Sequence, residues 1–513
     1  MENRGKLQKG GGCALNRKIH QRLLAALLCV LAAVPLSGAD AGTAPAEDAD
    51  VYEAEQAQRL GGAEIVEDED ASGGKAVLLY AKEADGVAFH IHVPRDGAYD
   101  LTVVGKGTME DRFDYIFLDG MQLSEVHFPF EQYAAQLMPK TPLRAGEHEI
   151  RLRVRRGNIC LDTLTVTPTD PIPESFYEVT PTLTNPKATE EAKELYSLLH
   201  ELYGRYTLSG QHSPNGFHGE EMEAIHDVTG AYPAILSMDI RDYAESRTRF
   251  GAEGKTVDHA LEFHEAGGIV SFCWHWNAPA QTILHKGTDA GDDAWWSGYR
   301  EQYSFLNILR VMHGEEPDLK RALDMDIQAV AAQLKHLEEE GVPVLWRPLH
   351  EASGGWFWWG ADGPDAFKQL WMYLYKTLTE VYECNNLIWV CTCLDPEWYP
   401  GDDYVDILGD DIYTLPQQYA PQIGRFLALD SCSPDGRMLA LTETGVIPDM
   451  EQSYQANVRW SWFCGWEYDY IVKDGAYSSE YTEEDMLKKI YGSETVINLD
   501  DLIAIRNNGE NNE

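Results

Sequence analysis

An α/β chain made of a (β/α)8 barrel preceded by an all-β, jelly-roll-like sandwich is what three features of the sequence predict. Strand-like apolar runs alternate with helical periods from Thr189 to about residue 492, and eight such runs can be counted. Residues 50–167 instead carry short β-branched and aromatic runs separated by turn dipeptides. All fourteen Trp lie between Trp274 and Trp466, so the two regions differ in composition as well as in period. Barrels of this kind take about 250 residues and sandwiches about 100, so a chain of 513 residues accommodates both.

In chain order, residues 1–41 read as a signal peptide: Arg17, Lys18 and Arg22 precede an apolar run from Leu23 to Leu36, followed by small residues around Ala39 and Ala41. The expectation is a secreted or cell-surface protein. No later stretch approaches about 18 apolar residues, so no membrane span is expected. The formal charge of −43 repels phosphate backbones and anionic lipid, which excludes nucleic acid as a partner. Seven cysteines follow the leader, an odd number without framework spacing, and Cys391-Thr392-Cys393 reads as core thiols rather than a zinc site. The sequence is silent on oligomeric state.

The sandwich strands are expected at Val87–Val93, Tyr99–Val104, Tyr115–Leu118, Glu149–Val154 and Leu161–Val166, with Asp96-Gly97, Asp119-Gly120 and Ala145-Gly146 as turns. The acidic run Glu64–Asp70 reads as a solvated loop. Residues 168–188 hold five prolines without amphipathic period and read as a stiff connector. The barrel, 189–492, has strand candidates at Tyr206–Gly210, Ala234–Met238, Ile269–Trp274, Val344–Pro348, Leu387–Val390, Val405–Gly409, Met438–Thr442 and Gly465–Tyr470. Helical period is clear at Ile327, Val330, Leu334 and Leu337, ending at Gly341, and at Phe367, Leu370, Trp371, Leu374, Leu378 and Val381, started by Pro364. Residues 493–513 read as a polar tail.

In such barrels, reactive groups sit where strands end. The fourth strand ends in Arg347-Pro348-Leu349-His350-Glu351 beside an aromatic loop, a setting that raises a carboxyl's pKa and suits a general acid. The seventh ends in Leu441-Thr442-Glu443-Thr444-Gly445, a second carboxyl three strands round. Two such tips can flank one sugar ring. Trp274, Trp276, Trp295, Trp296, Trp356, Trp358, Trp359 and Trp466 near strand ends are candidate sugar platforms, with core packing as the alternative for each. His275 and Tyr413 follow the third and sixth strands and can serve a sugar, a carboxylate or the scaffold. Gly251–Thr256 misses the spacing of a phosphate loop, and His350-Glu351 lacks the second His of a zinc protease.

Taken in order, Leu208–His212, Thr229–Asp239, Trp274-His275, Arg347–Glu351 with Trp356–Gly360, and Thr442–Gly445 resemble glycoside hydrolase family 26, whose best-known members are endo-β-1,4-mannanases. The resemblance implies a retaining hydrolase of plant-type mannan, glucomannan or galactomannan, with Glu351 as acid/base and Glu443 as nucleophile and no cofactor for catalysis. It further implies that His350 and Tyr413 orient the carboxyls and that His275, Trp356 and Trp466 hold the sugar. Trp466 is followed by Glu467, where some mannanases have a basic residue. Mixed-linkage β-glucan or β-1,3-xylan as substrate, and a non-catalytic polysaccharide-binding protein, are the alternatives. The sandwich resembles family 35 and family 6 carbohydrate-binding modules through Tyr52–Glu55, Asp96–Tyr99, Ala145–His148 and Leu161-Asp162. That resemblance implies a structural Ca²⁺ held by Glu53, Glu55 and Asp162, and a ligand contact at Asn158.

Overall fold

The computed structural model describes residues 49–510 except 81–83, 111, 156–157, 180, 284–293 and 394; the leader expected at 1–41 lies outside the described residues. The N-terminal module contains β1 (Asp50–Glu53), β2 (Gln58–Leu60), β3 (Glu64–Glu67), β4 (Lys75–Leu79), β5 (Gly86–Val93), β6 (Gly97–Gly107), β7 (Arg112–Leu118), β8 (Met121–Phe128), β9 (Ala134–Leu143), β10 (Gly146–Arg153) and β11 (Ile159–Thr169). They form two antiparallel sheets, β3-β4-β11-β6-β9 with β1 on β11, and β2-β5-β10-β7-β8. Strand alternation turns Phe89, Ile91, Leu101, Val103, Ile150 and Leu152 into one core between them, and a register shift in β11 brings both Leu161 and Leu164 into it. The acidic run taken for a loop begins with the edge strand β3, whose glutamates face water. Charge on an exposed edge discourages pairing with another chain, which is why a strand there has a loop's composition.

The second body is a closed parallel barrel of β13 (Gly210–His212), β14 (Ile235–Asp239), β15 (Ile269–Trp274), β16 (Val344–Pro348), β17 (Leu387–Thr392), β18 (Ile407–Ile412), β19 (Met438–Thr444) and β20 (Phe463–Gly465). The run expected as its first strand is split. β12 (Thr207–Leu208) pairs outside the barrel with β23 (Val496–Ile497), and the barrel strand starts only at Gly210. The eighth strand lies earlier than expected, because Trp466 leaves the sheet and Tyr468, with φ of 62°, breaks the extended run; a small hairpin, β21 (Val472–Lys473) and β22 (Ala476–Tyr477), follows. The helices Pro317–Glu339 and Pro364–Lys376 stand where their period places them.

Alternate strand residues form layers that change in character along the barrel axis. Ile235, Ile269, Leu345, Ile388, Ile407 and Met438 are apolar and pack in one cluster with the helix Glu190–Leu202. Ser237 and Ser271 pair in register above Ile235 and Ile269, and Asp239 follows two residues later. The same period carries Leu345 to Arg347 and Ile407 through Gly409 to Asp411. Charge is thus confined to the end where the loops begin.

Two segments are more integrated than their composition suggests. In the connector, Ile172 is buried in the barrel's core, and Arg459 holds Glu174 with two bonds of 2.8 and 2.7 Å. The residues expected as a polar tail carry β23 and the helix Leu499–Glu510, with Leu502 fully buried beside Leu199, Leu208 and Ile269. A four-residue apolar spacing amid polar neighbours is enough for one helical stripe, and the tertiary contact decides. All seven cysteines described are buried and free, as core thiols.

Candidate active site

Strict alternation along β19 would send Met438, Ala440 and Thr442 inward and Glu443 outward. A bulge changes this: Asp410 pairs with Leu441 but Asp411 pairs with Glu443, so Thr442 is the extra residue. Both side chains then face the barrel interior. The Thr442 hydroxyl donates to Asp411 Oδ1 at 2.7 Å, and Glu443 meets Arg347 and Tyr413. Arg347, the fourth of the five residues of β16, forks between Asp411 Oδ2 at 2.9 Å and Glu443 Oε1. Tyr413 donates to the other oxygen, Glu443 Oε2, at 2.8 Å.

Glu351 completes the group: it, Asp411 and Glu443 each bring a carboxylate oxygen within 4.8 Å of the others. After Pro348 the chain makes two left-handed residues, Leu349 (φ 52°) and Glu351 (φ 54°), a conformation that costs about 1 kcal/mol or more for each non-glycine residue. The loop that follows holds it in place. Trp359 Nε1 donates to the His350 carbonyl at 2.8 Å, and Gly360 lies so close to Ala352 that a Cβ there would meet its carbonyl oxygen at 1.9 Å. Among the described residues, Glu351 receives one side-chain hydrogen bond, from Trp356 Nε1 at 2.9 Å. Desolvation, then the charges of Asp411 and Glu443, push its carboxyl well above the ordinary range. Burial also raises Asp411, to about 8, against the pull of Arg347. Arg347 bonds two of the three carboxyls, Asp411 and Glu443. Glu351 is the one that lacks the cation, so it is where a proton is best held.

The cleft walls come from the other strand ends. His275 Nδ1 bonds Asp239 Oδ2 at 2.7 Å, and Arg241 also pairs with Asp239. Burial would raise Asp239, but Arg241 and His275 outweigh it and hold the carboxyl low. Trp466 stacks on His212 with centroids 4.2 Å apart, and His275 edges onto His350 at 4.5 Å. His350 makes no side-chain hydrogen bond among the described residues, and its Nδ1 is buried without a partner. It therefore does not orient either carboxyl through a bond of its own. Burial, then Arg347, keep its pKa well below the usual value, which leaves a neutral ring. Glu467, beside Trp466, is buried and pushed up to about 7 by desolvation.

The structure thus draws Glu351, Glu443, His275, His350, Trp356, Tyr413 and Trp466 to one end of the barrel. The other tryptophans divide. Trp274, Trp276, Trp358 and Trp359 are fully buried and belong to the core; Trp276 Nε1 reaches Asp326 at 2.8 Å and Trp358 Nε1 the Trp276 carbonyl at 2.6 Å. Trp295 is half-buried and Trp296 is 53% exposed. Arg347 and Asp239 stand inside motifs quoted from the sequence but were given no role there, and Asp411 and Arg241 were given none either. The signal was present: a charged side chain inside an apolar barrel strand is buried, and a buried charge needs a partner.

In the module, Glu53, Glu55 and Asp162 converge on the turn Ser72-Gly73. Ser72 N donates to Asp162 Oδ1 at 2.9 Å, and its hydroxyl to Glu53 Oε1 at 3.0 Å. Glu53 Oε2 and Glu55 Oε2 are buried without a partner among the described residues. Burial, with the neighbouring glutamates and Asp68, pushes Asp162 up to about 6. An all-oxygen set with orphaned lone pairs is chemistry that a hard divalent cation satisfies. Asn158 immediately precedes β11, its carbonyl accepting from Thr108.

Comparison with known proteins agrees with this geometry. The model of glycosyl hydrolase family 26 matches residues 184–501. The chain is 35% identical over 494 residues to a mannan endo-1,4-β-mannosidase of Thermothelomyces thermophilus, covering 94% of this chain and 97% of that protein. It is 30% identical over 442 residues to mannan endo-1,4-β-mannosidase B of a Piromyces species, covering 84% and 73%. Among solved structures, a Podospora anserina GH26-CBM35 β-(1,4)-mannanase superposes with a TM-score of 0.61 at 36% identity, over 89% of this chain and 99% of that one.

Proposed function

The chain belongs to glycosyl hydrolase family 26, and we propose that it is an exported mannan endo-1,4-β-mannosidase that cleaves internal bonds of mannan, glucomannan or galactomannan with retention of configuration. The observation that carries this reading is the approach of Glu351 and Glu443 to within 4.8 Å with only one of them on Arg347. Retaining enzymes hold their carboxyls about 5 to 5.5 Å apart, whereas inverting ones need about 6.5 to 9.5 Å to admit a water.

The difference between the two carboxyls assigns the roles. Glu443 accepts from Arg347 and Tyr413, donors that aim its oxygens, and it attacks the anomeric carbon. Glu351, proton-bearing and partly open to the cleft, gives its proton to the leaving oxygen as the glycosidic bond breaks. The result is a glycosyl ester on Glu443 and a released chain end. Glu351, now ionised, takes a proton from water as the water attacks the same carbon, and Glu443 leaves as the carboxylate. Trp466, buttressed by His212, offers an aromatic face to the sugar. His275, fixed by Asp239, and His350, with its unpartnered neutral ring, supply polar contacts to its hydroxyls.

The sandwich is proposed as a carbohydrate-binding module with Ca²⁺ held by Glu53, Glu55 and Asp162 and a ligand contact at Asn158. The orphaned carboxylate oxygens support the ion site. The cation's contribution there is structural.

Reducing-end release from galactomannan and glucomannan, with Glu443→Ala as control, tests the reading. Proton NMR of the first product should show the β-anomer before mutarotation. No release by the intact chain, or initial α-anomer, overturns it. Faster turnover on a mixed-linkage β-glucan or a β-1,3-xylan than on any mannan would move the substrate and leave the chemistry.

A further inference from the structure

Tyr413, the donor to Glu443, sits at the start of a loop that is gripped from outside the barrel. Gln122, at the second position of β8 in the N-terminal module, is buried and makes two bonds to that loop. Its backbone N–H donates to Gln418 Oε1 at 2.6 Å, and its own Oε1 accepts from Leu415 N at 3.2 Å. Leu415 is two residues from Tyr413, and the loop closes on itself where the Thr414 hydroxyl donates to the Gln418 carbonyl at 3.2 Å. The adjoining helix Ile423–Asp430 meets the module as well, with Gly424 against Pro139 of β9. From that helix Arg425 forks onto Asp410 at 2.8 and 2.6 Å, the residue before Asp411 in β18.

Resting on the reading of Glu443 as nucleophile, we propose that the N-terminal module has a second task besides binding polysaccharide. Through Gln122 it fixes the loop that aims the Tyr413 hydroxyl at Glu443, which makes Gln122 a positioning residue for catalysis. The physical ground is that the loop is held on two sides, by Gln417 on the Tyr481 and Ser479 carbonyls and by the two bonds of Gln122, and the Gln122 side is the one that reaches Leu415, two residues from the tyrosine. A displacement of the order of 1 Å near reacting atoms costs up to about 10²-fold in rate.

The test is a double-mutant cycle in the full chain on mannohexaose, a substrate too short for the module to add retention. Gln122→Leu removes the acceptor and keeps the backbone N–H; Gln418→Leu, on the barrel side, removes the other half. Each should lower kcat about tenfold with KM within twofold, and the two together should not multiply. In a Tyr413→Phe background, Gln122→Leu should cost less than twofold more, because the hydroxyl it positions is gone. If Gln122→Leu and Gln418→Leu leave kcat unchanged, or if Gln122→Leu costs the same tenfold with and without the Tyr413 hydroxyl, the proposal fails. Should one variant not fold, the other still decides. Cleavage by the wild-type chain, slowed in Tyr413→Phe, upholds the functional reading whichever way Gln122 behaves.

Discussion

Asp411→Asn should move the enzyme's alkaline limb toward acid. The raised carboxyl of Glu351 has three causes, desolvation and then the charges of Asp411 and Glu443, and the substitution deletes the first of the two charges with little change in shape. Asn still offers Oδ1 to Thr442 or Arg347. An oxygen pair within 4.8 Å at an effective dielectric of about 20 interacts with about 3.5 kcal/mol, or about 2.5 pH units. Two facts reduce that figure: Glu351 has an edge open to the cleft, and Asp411 is itself raised and so carries its charge only in part near neutrality. The expected shift is therefore about one to two units. The general acid must be protonated, so a lower pKa means activity lost at lower pH. The assay is kcat/KM against pH on a manno-oligosaccharide, which reports the free enzyme's acid. An aryl mannoside with a good leaving group is the control, because its first step needs little proton donation. An alkaline limb that stays in place or moves upward would refute the argument that Asp411 loads the proton onto Glu351.

Other perturbations follow from the same contacts. Trp356→Phe removes the N–H that stabilises ionised Glu351, so the alkaline limb should move upward, by about one unit, opposite in sign to Asp411→Asn; the same pH profile checks it. Leu502→Ala should cost about 2 to 5 kcal/mol in a denaturant melt, since its side chain is fully buried under the barrel, whereas a residue of a frayed tail would cost almost nothing. Added Ca²⁺ at about a hundredfold its Kd should stabilise the module by about 2.7 kcal/mol, visible as a rise in its melting temperature. Glu53→Ala with Glu55→Ala should abolish that rise while leaving hydrolysis of short oligosaccharides unchanged.

The fold was legible in the sequence where period and burial agree. Interior strands such as Val344–Pro348 carry apolar residues on both faces, and helices such as Pro317–Glu339 repeat every three to four residues. Compositional reading fails where a contact outside the local window decides. Glu64–Glu67 is a strand because β4 lies beside it, and Leu499–Glu510 is a packed helix because the barrel's end receives Leu502.

For the site, motif order located both glutamates, but not the reason they meet. Glu443 stands at an outward position by simple alternation, and nothing local to Leu441-Thr442-Glu443 announces the bulge that reverses it. The bulge is stabilised by bonds across to β18, from the Thr442 hydroxyl to Asp411 and to the Asp410 carbonyl, so it is a property of two strands rather than one. Arg347 and Asp411 were overlooked for a related reason: each is intelligible only once the other is seen. Alone, a charge in an apolar strand contradicts burial; together, placed 2.9 Å apart, the pair is a frame that holds one carboxyl on the cation and leaves the other with the proton. In the proposed reading, that division is what makes one glutamate the acid and the other the nucleophile.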